Sequence, residues 1–218
     1  MDLNKFFYNI SIWAIPVLFA ITLHEVAHGW MARYFGDRTA ELLGRLNLNP
    51  LRHIDPLGTV LIPGLLLALG LPLFGWARPI PVALGARGSR FALIMVALAG
   101  PAANILMALF WFAVLAAVLR IRTGATLDDW VLLMAQAGIV INVVLALFNM
   151  LPIPPLDGGR VVASVLPPRL SSRFEKIAPV GMIIVLSLVV LGQFAWLFDP
   201  AQRAMSHVID ALLIRSAA

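Results

Sequence analysis

The chain contains no cysteine, which excludes disulfides, iron–sulfur clusters and any thiolate metal site. A metal, if one is held, must take its ligands from histidine, aspartate or glutamate. Charge is scarce as well. Only 12% of the 218 residues are Asp, Glu, Lys or Arg, and Lys5 and Lys176 are the only lysines. Against this stand a hydrophobic content of 61% and a mean hydropathy of +0.93. A soluble domain of this size could not hide so much apolar surface, so lipid is its natural solvent.

Five stretches lack any charged residue: Phe6 to Leu23, Pro56 to Ala77, Phe91 to Leu119, Val131 to Leu156 and Ile177 to Phe198. Each is long enough to bear on membrane crossing. The net charge of +5 comes from arginines set singly in the short loops between these runs. Membrane topology alone would place them there, so no nucleic-acid partner is expected. The first run continues into a His/Glu cluster and lacks a small-residue cleavage pattern, so it reads as a retained helix and not a signal peptide. No internal repeat or low-complexity tract is visible, and one membrane domain over residues 1–218 is expected.

The cluster is HEVAH, His24 to His28. Helical residues four apart lie one above the other, so the two imidazoles converge with Glu25 beside the first. H-E-x-x-H is how a helix offers two nitrogens to zinc together with a glutamate that handles the proton of water. Such a pattern arises by chance, and histidines at helix ends often meet only water. Membrane depth shifts the balance: a charged group at mid-bilayer costs roughly 2.5–3.5 kcal/mol, and such groups usually mark function.

Catalytic zinc takes three protein ligands and keeps one position open. Glu41, His53, Asp55, Asp157 and His207 are the candidates for the third. Asp157 lies in NMLPIPPLDGGRV, where an apolar run ends in prolines 152, 154 and 155, then one aspartate and two glycines. Prolines withhold donors and break the helix, and glycines permit close backbone approach. A broken helix at membrane depth is tolerated where it lines an enclosed or watery cavity. Asp157 is therefore the preferred third ligand, against a plain helix exit with the carboxylate in water.

The two motifs together resemble the site-2 protease family, the zinc intramembrane metalloproteases. HEVAH is similar to its H-E-x-x-H, and Asn149 to Gly158 to its N-x-x-P-x-P-x-L-D-G segment. AGPAAN, Ala99 to Asn104, is similar to its G-P-x-x-N, and GRLNLNPLRHIDPLGT looks like its small bacterial members. The resemblance implies one Zn2+ on His24, His28 and Asp157, with Glu25 as general base; the sequence departs from many relatives in that no room for a PDZ or CBS domain is expected in it. The resemblance also implies as substrates transmembrane proteins or remnant signal peptides, cut in the plane of the lipid bilayer. Asn149 and Asn104 are candidate oxyanion or substrate-binding donors. Their plainer role, shared by Asn142, is interhelical hydrogen bonding worth about 0.6 kcal/mol each.

For three ligands to meet at one depth, the first helix and the run ending at 156 must travel the same way, with one return between them. The run 91–119 supplies it, at about 43 Å as a straight helix, with Pro101 as a kink and Gly100 as a point of close approach. The run 56–77 is broken by Pro56, Gly58, Pro63, Gly64, Gly70, Pro72 and Gly75, and reads as a re-entrant or peripheral hairpin. One side then carries Arg33, Arg38, Arg45, Arg52, Arg78, Arg87, Arg90, Arg160, Arg169, Arg173 and Lys176. The other carries Lys5, Arg120, Arg122, Arg203 and Arg215. The positive-inside rule puts the metal-bearing side in the cytosol of a cell whose inner (cytoplasmic) membrane holds the chain.

The expected architecture is an all-α polytopic membrane protein with about four transmembrane helices, five or six being the alternative. Its parts are a metal helix at 6–35, a β/re-entrant region at 40–90, helices at 91–119, 131–152 and 177–198, and an amphipathic tail at 199–218. Short membrane-associated β-strands are expected at RLNLN (Arg45 to Asn49) and RPIPVAL (Arg78 to Leu84), where an edge could pair with an unwound substrate. The expected activity is intramembrane peptide-bond hydrolysis. The rival is a non-enzymatic membrane zinc transporter or sensor, disfavoured because the ionisable groups cluster at one depth.

Overall fold

The computed structural model describes residues 3–69, 75–84, 88–121 and 126–193, together with Arg203 and Ser206. Eight α-helices occur among them: α1 Leu3–Tyr34, α2 Thr39–Leu42, α3 Ile62–Ala68, α4 Arg90–Ile121, α5 Thr126–Asn149, α6 Asp157–Val165, α7 Pro168–Lys176 and α8 Ala178–Val190. A 3-10 turn at Pro50–Arg52 and a π-helical turn at Pro56–Leu61 lie between α2 and α3.

Among the described residues, three helices are long and apolar enough to cross a membrane: Phe7–Tyr34 within α1, Arg90–Ile121 and Leu127–Asn149. The chain is a membrane protein. α1 and α5 run parallel, since Trp130 Nε1 near the start of α5 donates to Ser11 Oγ near the start of α1 at 3.1 Å. α4 runs against both. Val96 meets His28, and Asn104, eight residues on, meets His24 and Ala20 one turn and more back along α1. Small residues make that contact close, as is usual where lipid supplies no hydrophobic drive between helices: Ala97, Ala99 and Gly100 of α4 are buried. α4 runs unbroken through Pro101. Farther along, Trp111, Leu115 and Leu119 pack with Met134 and Ala135 of α5.

α1 stops where Gly36 takes φ +92°. Asp37 N–H donates to Ala32 O and Gly36 N–H to Arg33 O, the paired bonds of a left-handed helix stop that only glycine adopts without strain. The segment 56–77 doubles back as expected. Trp76 N–H donates to Gly58 O at 3.1 Å and Thr59 Oγ1–H to Trp76 O at 2.9 Å, so its two ends are neighbours.

Two expectations need correction. Among the described residues there is no β-strand: 45–49 and 78–84 are irregular and do not pair. Pro79 and Pro81 carry no N–H, and the amides of Arg78, Ile80 and Ala83 donate to His53 O, Glu25 and Asp37, which leaves no ladder to build. The expected fourth span is also shorter than its apolar run. α8 has 13 residues, about 20 Å, and is closed by Gly192 at φ +68° with Gln193 N–H on Leu188 O. The tail at 199–218 falls outside the described residues apart from Arg203 and Ser206.

Candidate metal centre

α1 carries the first part of the site. His24 and His28 are 8% and 3% exposed on the face that meets α4, and their Nε2 atoms stand 3.1 Å apart. Asp157 comes from the other end of the chain, as the first residue of α6 just past the turn that ends α5. Its Oδ2 is 3.2 Å from each Nε2. Oδ1 faces Arg160, whose Nη1 is 3.7 Å away, one turn along α6.

Close backbone packing holds this convergence. A Cβ on Gly158 would strike the carbonyls of Met150 and Leu151, and one on Gly159 would lie 2.6 Å from Pro154 N. The turn and the start of α6 therefore interlock only because both residues are glycine. The Pro154–Pro155 peptide bond is cis. Gly100 plays the same part in α4: a Cβ there would lie 2.7 Å from His24 Nε2 and nearer still to His28 Nε2.

The imidazoles are oriented from behind. His28 Nδ1–H donates to Val96 O at 2.7 Å, and a carbonyl accepts only. His24 Nδ1–H donates to Asn104 Oδ1 at 2.6 Å, while Asn104 Nδ2 donates to Asn142 Oδ1 at 2.9 Å and Asn142 Nδ2 to Gly138 O at 2.8 Å. With the Nδ1 protons committed, each neutral ring points an Nε2 lone pair inward. Asp157 Oδ2 is buried and has no hydrogen-bond donor among the described residues. Three lone-pair atoms thus face one another at 3.1–3.2 Å, an arrangement that repels itself unless a cation lies between them. A tetrahedral ion with bonds of 2.0–2.1 Å has ligand edges of about 3.3 Å. The donors fit such an ion.

The remaining sequence candidates do other work. Glu41 is engaged by Arg38 at 2.8 Å and Arg33 at 3.2 Å on the surface, and Asp55 caps the amides of Leu57 and Gly58. His53 is buried in the loop and donates from Nε2 to Asn47 O, while His207 lies outside the described residues. Asn149 donates to Leu145 O of its own helix at 2.9 Å. Asn104 is fully buried behind His24, with both ends of its amide engaged.

Glu25 is half-buried beside His24, and its Oε2 accepts the Ile80 N–H at 2.8 Å. Ile80 and Leu46 also cover Gly29, one turn on. Sequence reasoning missed this covering contact and the orienting role of Val96 O, because both run through backbone atoms that no residue type announces. A cavity of about 180 Å³ opens beside the proline turn, lined by Pro154, Pro155, Gly159, Arg160, Glu175 and Ala178, and touches none of the three ligands.

Comparison with known proteins supplies the family. The family model for peptidase family M50 matches residues 115–189, which include Asn149 and Asp157. The provisionally named zinc metalloprotease YwhC of Bacillus subtilis is 38% identical over 204 residues, covering 91% of this chain and 90% of its own. The chain belongs to peptidase family M50. The provisionally named zinc metalloproteases Rip2 of Mycolicibacterium smegmatis and Mycobacterium tuberculosis are more distant, at 30% and 31% identity over 84% and 89% of this chain and 68% and 74% of theirs. No solved structure matches the chain. The alignment with YwhC is long enough to span the positions of both the histidine pair and the aspartate.

Proposed function

We propose that this protein is an intramembrane zinc endopeptidase that hydrolyses peptide bonds within or near transmembrane segments of other membrane proteins. The observation that carries the reading is the inward-facing triangle of His24 Nε2, His28 Nε2 and Asp157 Oδ2, with Glu25 beside it on a membrane helix. Zinc, when bound there, supplies a Lewis acid that polarises the scissile carbonyl and lowers the pKa of water.

The chain's own groups do the rest. Glu25 Oε2 is occupied by the Ile80 amide, which leaves Oε1 to take the proton of the attacking water and later return one to the leaving amine. Val96 O and Asn104 keep both rings in the Nδ1–H tautomer, so their Nε2 lone pairs stay available. The bilayer constrains the substrate. A helix in lipid hides its carbonyls in its own hydrogen bonds and must be drawn out as an extended strand first. Asn149 is a candidate donor to that strand. Single-pass membrane proteins and remnant signal peptides are the proposed substrates. The arginine distribution supports an inner-membrane location with the metal on the cytosolic side.

The deciding experiment compares purified wild type with Glu25→Gln for zinc content and for cleavage of a transmembrane substrate in detergent. About one zinc in each, with cleavage by wild type alone, is the expected result. Zinc in both with cleavage by neither would sink the protease reading in favour of a transporter or sensor, and zinc flux in proteoliposomes would then decide between those.

A further inference from the structure

Asp157 presents two oxygens, and the metal centre uses one. Oδ2 stands 3.2 Å from both Nε2 atoms, whereas Oδ1 is turned toward Arg160, with Nη1 at 3.7 Å. The start of α6 fixes that orientation. A Cβ on Gly158 or Gly159 would strike the backbone of the proline turn, so the two glycines seat the helix there and set its rotation. Asp157 and Arg160, three residues apart, then share a neighbouring face. Their burial differs: the Asp157 side chain is 6% exposed and that of Arg160 49%. The arginine thus reaches from the surface to a carboxylate inside the protein.

Helix formation gives no reason for an arginine at this place. It is the fourth residue of α6, where unpaired amides make the helix end positive and favour an anion. Nor does it fill space, for it lines an open cavity of about 180 Å³ with Pro154, Pro155 and Glu175. At 3.7 Å its contact with Asp157 is too long for a hydrogen bond and acts through charge. That charge bears on Oδ1 in particular. A carboxylate can hold a cation through one oxygen or chelate it through both. Were Oδ1 to swing inward beside Oδ2, His24, His28 and a chelating Asp157 would supply four donor atoms. They would fill the position that a hydrolytic zinc site keeps open. A cation on the outer side opposes that swing.

We propose that Arg160 is a positioning residue of the metal centre. Its charge holds Asp157 Oδ1 outward, so that the carboxylate ligates through Oδ2 alone and the fourth position of the ion stays free. The inference rests on the metal-centre part of the proteolytic reading, that His24, His28 and Asp157 hold zinc. It deepens that reading by naming the group that keeps a place for water.

Infrared spectroscopy separates the two modes of ligation. A carboxylate bound through one oxygen splits its two C–O stretches more widely than the free ion, and a chelating one splits them less widely. The full chain is purified in detergent with aspartate isotopically labelled at the carboxyl carbon, and its spectra with and without zinc are subtracted. Zinc is expected to widen the splitting in wild type. In Arg160→Met, of similar length and without charge, zinc is expected to narrow it below the zinc-free value. In Arg160→Lys, which restores the charge, widening returns. A merely structural arginine would lower zinc content or melting temperature in Arg160→Met and leave the widening in place, and that result overturns the proposal. If Arg160→Met does not fold, Arg160→Gln takes its place with the same expectation. Narrowing by zinc in wild type overturns the proposal whatever the variants do. Zinc binding and cleavage of a transmembrane peptide are read separately. No zinc-dependent change at any aspartate removes the metal centre itself. Arg160-dependent splitting without cleavage keeps the positioning role and removes the protease reading, whereas cleavage by wild type with widening unchanged in Arg160→Met does the reverse.

Discussion

The backbone N–H of Ile80 donates to Oε2 of Glu25 at 2.8 Å, so the glutamate next to the candidate metal ligands is held by a segment 55 residues away in sequence. That segment is a strap. Its Arg78, Ile80 and Ala83 amides are held in turn by the loop at His53, by Glu25 and by Asp37, while Ile80 packs with Val26, Ala40 and Leu46 over the Glu25 face of α1. On the proposed proteolytic reading, an extended substrate shares or displaces this cover. Loosening its far anchor with Asp37→Ala is expected to speed amide hydrogen exchange at Ala83 and Leu84 at least tenfold while zinc content stays unchanged. Unchanged exchange would show that the strap is held by packing alone.

The same anchor makes the strap acid-sensitive. Burial pushes the Asp37 carboxyl up, but the Thr39 hydroxyl and the amides of Thr39, Ala83 and Leu84 outweigh it and hold it below its ordinary 3.8. A carboxyl depressed in the folded state stabilises it above the unfolded pKa, and that contribution is lost as pH falls through the lowered folded value. Wild-type stability is expected to fall below about pH 4 more steeply than that of Asp37→Asn, which has no such charge to lose. Chemical denaturation from pH 6 to pH 3 checks this, and parallel curves would refute it.

Gly100 tests the fit of α4 on the metal helix. A Cβ there falls on both imidazoles, so Gly100→Ala must push the rings apart or the helices away. Overpacking of this kind costs about 1–3 kcal/mol. Zinc per chain by elemental analysis is expected to drop from about one to below a tenth after dialysis against a weak chelator. Full retention would mean that α4 can shift by a methyl's width without disturbing the ligands.

Asn104 and Asn142 form the relay that fixes His24. Loss of an orienting partner behind a metal-bound imidazole costs roughly 10–100-fold in metal affinity. Asn104→Ala is expected to lose that much in chelator competition. Asn104→Asp keeps the Oδ1 acceptor for His24 Nδ1–H and is expected to lose less. If both bind zinc like wild type, the pair serves helix packing only.

How much of this is legible in the sequence depends on where the signal lives. His24, Glu25 and His28 are readable because a helix turns i, i+4 spacing into a shared face, and Asp157 because prolines and glycines around a lone aspartate betray a broken helix. The return of 56–77 on itself is readable from its density of proline and glycine. The strand expectation fails because RLNLN alternates like a strand while its neighbours supply no ladder partner. The fourth helix comes out too long because hydropathy averages across Gly192, where the backbone turns. The work of Val96 O and Ile80 N–H has no sequence signature at all, since nearly every residue carries those atoms.

The absence of cysteine turns topology into a direct measurement. Single cysteines introduced on the wild-type chain label against zero background. Arg173 near the end of α7 lies on the metal-bearing side of the positive-inside assignment, and Arg120 near the end of α4 on the opposite side. Both are surface groups at helix ends, where a thiol disturbs little. In intact cells Arg120→Cys is expected to react with a membrane-impermeant maleimide and Arg173→Cys only after the membrane is opened, because arginine-rich short loops stay in the cytosol. The same pattern for residues flanking α8 decides whether that 13-residue helix completes a fourth crossing. A cysteine at Ala178 shielded together with Arg173→Cys, and one at Gln193 labelled from outside, requires a crossing. Both shielded means that three helices carry the chain across and α8 stays with the cytosolic face, which would leave the metal centre covered on that side by α6, α7 and α8 together.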